Sequence, residues 1–275
     1  MKISKFILVI IFAFYSLTFA DVKTELIENI KSNFQKRGLK DVKLNVTVLK
    51  KLDKPNGYYF LKVNIMDKKN NREATQYIIS DGKLLIPDIV ELKTGKSLIK
   101  ELTFNYDTVN IPIKNLTLIQ GNKNAKHIII KISDFECPFC RKAYEFLEPK
   151  IKDRKDIAFY MLHYPLPIHK KAVIFAKVFE AGITMGYNFT SELYSGKYDK
   201  KSENEIIDEF AKKTNDPAKF KQLVNSKEII DKIEYHKKLA EKYGFRATPV
   251  LIFDGKKVEG FDPKMIEKGL KSFKN

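Results

Sequence analysis

Two cysteines occur in the 275 residues, Cys137 and Cys140, inside the stretch SDFECPFCRK from Ser133 to Lys142. A lone pair of thiols separated by Pro138 and Phe139 leaves three chemistries: a local structural bridge, half of a metal site, or a reactive dithiol. A disulfide closing so short a loop removes little entropy from the unfolded chain. Structural zinc wants four ligands; there is no second cysteine pair, and His127, His163, His169 and His236 show no ligand spacing. Redox exchange is the expected use, with no metal. Cys137 follows the apolar run Ile128 to Ile130 and opens a helical pattern. Unpaired backbone N–H groups and the helix dipole there favour an anionic sulfur. The thiolate is the attacking species, so Cys137 is read as the nucleophile and Cys140, one turn later, as the thiol that resolves a mixed disulfide. Pro138 suits a first helical turn, where its missing N–H costs nothing. The electrons would reside in the dithiol itself, so no dissociable cofactor is expected.

The elements around this pair follow from hydrophobic period. Leu116 to Ile119 and His127 to Ile132 read as strands, the second nearly continuous and so buried on both faces. The helix opened by the cysteines runs to about Ile151, with Pro149 as a possible bend, and Ile157 to Leu162 is another strand. A helical block follows: His169 to Ala181, a capping box at Ser202 to Glu205, an Asp216-Pro217 helix start, and Ser226 to Tyr243 closed by Gly244. The chain ends with a strand at Val250 to Phe253, an Asp254-Gly255 hairpin, a strand near Val258 and a helix announced by Asp262-Pro263. The result is a mixed-sheet α/β domain over 114–275 with a helical insertion at about 165–225. Pro249 stands where an ordinary strand start tolerates proline.

The first hundred residues have a different grammar. Asp21 to Arg37 carries a helical stripe ended by Gly38. Val42 to Val48, Tyr58 to Met66 and Thr75 to Ile79 alternate as strands, with turns at Pro55-Asn56-Gly57, Lys69-Asn70-Asn71 and Asp81-Gly82. A helix plus an antiparallel meander makes a small α+β domain over 21–102, and the aperiodic 103–113 reads as a linker. Residues 1–20 have the basic start, apolar centre and small-residue end of a cleavable signal peptide; an uncleaved anchor is the alternative. Export, with the periplasm as the expected location, places the dithiol where disulfides persist. The formal charge of +17 raises nucleic acid as a partner. The lysines are scattered among acids, with no arginine-rich stripe, so no nucleic acid is expected.

Three stretches carry a resemblance: SDFECPFC, HYPLPIHKKA from His163 to Ala172, and YGFRATPVLIFDGKKVEG from Tyr243 to Gly260. Residues 114–275 resemble the DsbA-type thiol–disulfide oxidoreductases of thioredoxin fold. The resemblance implies a cis bond at Thr248-Pro249 and makes Thr248 and Pro249 substrate-binding residues beside the active-site sulfurs, with the substrate added as a strand. Pro138, Phe139 and Glu136 would tune the pair. Phe139 stands where the most oxidising members carry His, and Lys131 where some relatives hold a buried acid. Residues 21–102, with ISDGKLLIPDIVELKTGKSL, resemble the dimerisation module of the DsbC and DsbG isomerases. A monomeric add-on domain is the alternative.

The function this implies is an exported thiol–disulfide oxidoreductase acting on cysteines of unfolded or misbridged envelope and secreted proteins. An isomerase-like, homodimeric enzyme recharged by a membrane redox partner is preferred. A DsbA-like dithiol oxidase is the alternative within the class, and a periplasmic chaperone or peptide-binding module is the alternative outside it.

Overall fold

The computed structural model describes residues 19–36, 41–69 and 72–273. Most of the expected leader, together with Gly38, Asn70 and Asn71, lies outside them. The chain divides into two units, Met1–Leu102 and Thr103–Asn275.

In the first unit, helix α1 (Phe19–Lys36) precedes strands β1 (Val42–Lys51), β2 (Tyr59–Asp67), β3 (Arg72–Ser80) and β4 (Leu85–Ile86). They form an antiparallel sheet in the order β1-β2-β3-β4, with Val46 opposite Val63 and Val63 opposite Gln76. Because side chains alternate along a strand, Tyr59, Leu61 and Val63 meet Val22 and Leu26 of α1, while Phe60 turns to Leu52, Ile79 and Leu102. The expected helix and meander are present; β4 is an addition, two residues long and so too short to alternate visibly in the sequence.

Helix α2 (Leu98–Tyr106) carries the division between the units. The sequence suggested an irregular linker over 103–113. Instead Phe104 is buried with Ile266 and Phe253, and Thr108 bridges Lys256. Leu98, Ile99 and Leu102 share one stripe of this nine-residue helix while Phe104 stands outside it, so the stripe ends at Leu102 and the continuation to Tyr106 shows no period.

The second unit contains β5 (Thr117–Gln120), β6 (His127–Ser133), α3 (Pro138–Ile151) and β7 (Ile157–His163). Helices α4 (Ala172–Thr184), α5 (Thr190–Tyr194), α6 (Glu203–Ala211), α7 (Pro217–Val224) and α8 (Lys227–Lys242) follow, then β8 (Val250–Phe253), β9 (Lys256–Glu259) and α9 (Pro263–Lys271). The sheet order is β5-β7-β6-β8-β9, with β6 and β7 parallel and the other pairs antiparallel. Central β6 is covered on both faces: Ile129 packs with Leu147, Ile151 and Ile266, and Ile130 and Ile132 pack with Leu239 and Ala240 of α8. Burying each such side chain contributes about 1.5–3 kcal/mol, which makes β6 a stiff base for whatever leaves its carboxyl end.

Local chemistry sets the element ends. Ser202 and Glu205 form the capping box, and Asp216, Ser226 and Asp262 each accept a backbone N–H at the start of α7, α8 and α9. Asp254 and Gly255 both have positive φ (45° and 87°), the demand of a two-residue hairpin. Gly121 (φ 87°) leaves room for the Ile157 carbonyl, which a Cβ would meet at 2.0 Å. Helix α5 escaped the sequence reading because five residues are too few to establish a period. None of the described helices is long and apolar enough to cross a membrane.

Candidate active site

Strand β6 delivers the chain into the tight segment Asp134-Phe135-Glu136, and Cys137 then N-caps α3 with extended backbone (φ −67°, ψ 120°) and Pro138 in the first turn. The segment is braced from within. The Cys137 N–H donates to the Asp134 carbonyl at 3.2 Å, and the Asp134 carboxylate accepts from the N–H groups of Glu136 and Leu166 and pairs with His169 Nδ1 at 2.7 Å. Glu136, read from the sequence as a group that tunes the nucleophile, accepts the Lys171 N–H through its carboxylate. It therefore ties residues 166–171 to the active-site turn. From α3, Arg141 donates to the Phe135 carbonyl at 2.9 Å and grips Asp199 with two hydrogen bonds of 2.6 and 2.7 Å.

Both cysteines carry free thiols. Cys137 is 4% exposed and Cys140 is fully buried, and their environments push them apart. A hydrogen bond from the Cys140 thiol, with further help from Thr248 and the N–H groups of Cys140 and Phe139, outweighs burial and brings Cys137 down to about 5. Burial, and then the same thiol–thiol bond seen from the donor's side, pushes Cys140 well above its ordinary value. At neutral pH the pair holds one thiolate and one thiol, the charge state a nucleophile and a resolving group require.

The segment before β8 closes over the sulfur. The Thr248-Pro249 bond is cis, and the Cys137 Sγ lies 3.7 Å from the Thr248 carbonyl oxygen. The Thr248 hydroxyl is buried with no other partner, so it is free to donate to the sulfur once the thiol ionises. Thr248 thus lies against Cys137, next to the cis bond to Pro249, although more than a hundred residues separate them in the chain. Phe139, between the cysteines, is 56% exposed, and Ile168 and Val173 are 80% and 49% exposed. Of these, Phe139 follows the buried Cys137 by two residues and leaves its apolar ring open.

The model of the Thioredoxin family matches residues 114–272. This chain belongs to the thioredoxin family. Its thioredoxin domain superposes on solved structures of the same fold. BdbD from Bacillus subtilis is 21% identical with a TM-score of 0.50, covering 60% of this chain and 98% of that one. The alpha-DsbA1 of Wolbachia pipientis is 20% identical (TM-score 0.49, covering 58% and 92%). The catalytic domain of Proteus mirabilis ScsC is also 20% identical (TM-score 0.47, covering 57% and 88%). No curated protein sequence matches the chain. The thioredoxin-like α/β fold with a helical insertion is thereby shown, preceded by the helix-and-sheet unit.

Two features of this thioredoxin domain escaped the sequence reading. The histidines are not all isolated: His163 and His236 converge with Glu180 in the interior. His163 Nε2 meets Glu180 Oε1 at 2.7 Å, Lys232 donates to Glu180 Oε2 at 2.7 Å, and Thr117 donates its hydroxyl to the same carboxylate. The His163 N–H donates to His236 Nδ1 at 3.2 Å, and His236 Nε2 meets the Asn115 carbonyl at 2.8 Å. Burial is outweighed by His163 and Lys232, which hold Glu180 at about 2, while burial and then His163 bring His236 to about 4. The potential ligand atoms of Glu180 and His236, and Nε2 of His163, are thus engaged in a neutralised network that joins β5, β7, α4 and α8. Linear spacing hides it because its members come from four elements. The second feature is the setting of Lys131 beneath the cysteine turn, described below.

Proposed function

We propose that this protein is a thiol–disulfide oxidoreductase of exported proteins, with Cys137 as nucleophile and Cys140 as resolving thiol. The observation that carries this reading is the placement of Cys137 as the N-cap of α3 against the Thr248 carbonyl and the cis Thr248-Pro249 bond, with Cys140 fully buried one turn later. The Cys137 thiolate attacks a substrate disulfide, forming a mixed disulfide and releasing one substrate thiolate. From there two routes diverge. The freed thiolate can attack another substrate disulfide and later expel Cys137, which leaves the enzyme's electrons unchanged and rearranges the substrate. Alternatively Cys140 gives up its proton and attacks the Cys137 sulfur, which closes the enzyme disulfide and releases a substrate dithiol. The reverse of this route oxidises a substrate.

Isomerisation is the preferred direction. A resolving thiol that resists ionisation lengthens the life of the mixed disulfide, which gives substrate thiols time to attack. Dithiol oxidation is the second reading, and the low value of Cys137 favours it, since a stabilised thiolate stabilises the reduced enzyme and makes its disulfide more oxidising. The Thr248 backbone, presented by the cis bond to Pro249, would pair with substrate backbone, and Phe139 and Ile168 would meet its apolar side chains, a grip tolerant of sequence. No dissociable cofactor enters either route.

Location and assembly belong to the same proposal: a periplasmic enzyme, recharged by a membrane redox protein, dimeric through residues 21–102. Supporting the dimer, Leu84, Leu85, Val90 and Leu92 of that unit are each at least half exposed, an apolar surface of the kind that partners cover. A monomeric mass at micromolar concentration would remove that part.

The deciding experiment is Cys140→Ser, which should accumulate mixed disulfides through Cys137. A holdase with an incidental dithiol would accumulate none. Refolding of scrambled and of fully reduced ribonuclease then assigns direction: rescue of the scrambled sample supports isomerisation, and rescue of the reduced sample alone assigns oxidation.

A further inference from the structure

Lys131 lies in the middle of β6 with no solvent exposure. Its register neighbours, Met161 in β7 and Leu251 in β8, are apolar. Among the described residues no carboxylate pairs with its ammonium. Instead Nζ donates to the Cys140 carbonyl at 2.9 Å and stands 3.9 Å from the Tyr194 ring centroid and 5.3 Å from that of Tyr144. A carbonyl and two aromatic faces offset only part of the hydration a buried ammonium loses.

The titratable groups facing Lys131 are those two tyrosines and the two cysteines, all from α3 and α5. Burial pushes Tyr144 up to about 12 and Tyr194 well above its ordinary range, so both stay neutral. The Ser133 hydroxyl on the same strand is held by the Tyr194 hydroxyl at 2.7 Å. The Asp134 carboxylate is engaged by His169 and two backbone N–H groups. The anions that can arise against Lys131 are therefore sulfurs. Burial drives Lys131 down to about 7, and negative charge on the cysteine sulfurs, carried by Cys137 in the reduced pair, resists that fall. A disulfide carries no such charge, so oxidation withdraws what supports the ammonium.

We propose that Lys131 is a positioning residue for the redox pair, taking up a proton when the Cys137–Cys140 disulfide is reduced and releasing it when the disulfide re-forms. The inference rests on the thiol–disulfide reading above. Two thiols of a reductant supply two electrons and two protons. The sulfur–sulfur bond breaks, Cys137 remains a thiolate, Cys140 takes one proton, and the Lys131 amine takes the other. By reciprocity, a protonated Lys131 favours the reduced pair.

The test is the equilibrium constant of the protein with glutathione as a function of pH. If Cys140 alone takes a proton, one proton is released per two glutathione thiols consumed, and the constant for reduction rises tenfold per pH unit, about 30 mV. If Lys131 takes the second, no proton is released and the constant flattens below about 7, down to the pH at which the amine of the oxidised protein is itself protonated, within the range above the Cys137 inflection near 5. The wild-type protein is expected to show the flattened stretch, and Lys131→Met the tenfold rise. Lys131→Gln is a second neutral replacement, and the wild-type profile can be read without any variant. A tenfold rise per pH unit through this range in the wild type, or a flattened stretch surviving in a folded neutral variant, overturns the proposal. A wild-type pair that never equilibrates with glutathione overturns the thiol–disulfide reading itself.

Discussion

The hydroxyl of Thr248 is buried without a partner beside the sulfur of Cys137, which lies 3.7 Å from the Thr248 carbonyl. An orphaned buried hydroxyl costs free energy, and it is offset here when the sulfur ionises and accepts from it. Thr248→Val should therefore make the Cys137 thiol roughly tenfold less acidic, the worth of one hydrogen bond to a charged acceptor. Thiolate ultraviolet absorbance measures this, with the wild-type inflection expected near pH 5. An unchanged inflection in the variant removes Thr248 from the account.

The same ionisation links redox state to stability. Cys137 moves from 9.0 to about 5 on folding, so between those values the unfolded reduced chain binds more protons than the native one, and stability rises with pH. The stabilisation is complete above pH 9 and is lost as the pH falls through 5. Urea unfolding of the reduced protein should show a loss of a few kcal/mol across this window relative to Cys137→Ser. Parallel curves for the two proteins would contradict the depressed thiol.

Phe139 offers no charge to the thiolate. Phe139→His should add a cation beside it at acid and neutral pH and raise the equilibrium constant with glutathione in favour of the reduced enzyme by about tenfold, about 30 mV. An unchanged constant would show that this exposed side chain does not reach the sulfur electrostatically.

Glu180 separates scaffold from site. Glu180→Gln leaves Lys232 and His163 without their buried anion and should cost about 3–5 kcal/mol in urea unfolding at neutral pH. The wild-type contribution is present above pH 4.5 and is lost as the pH falls through about 2. The Cys137 inflection should stay near pH 5, and a large displacement would mean that the network acts on the thiols.

Much of this was legible along the chain because the signals are local. The Cys-Pro-Phe-Cys turn, the caps at Ser202, Asp216 and Asp262, and the Asp254-Gly255 hairpin each depend on residues within a few positions of one another. Helices α2 and α5 were missed for the converse reason. Burial of Phe104 under residues of β8 and α9 holds the first of these in place, and Tyr194 wedged against Phe135 and Tyr144 holds the second. Tertiary packing of this kind leaves no period in the sequence.

The sequence by itself determined that two thiols one turn apart open a helix behind a buried strand, since the apolar run, the Pro138 helix start and the cysteine spacing are all local signals. Only the tertiary structure decided how unlike the two thiols are. Desolvation, the Thr248 hydroxyl and the Lys131 ammonium act through space at distances of a few ångströms, and the chain brings them together from β6, α3 and the turn before β8.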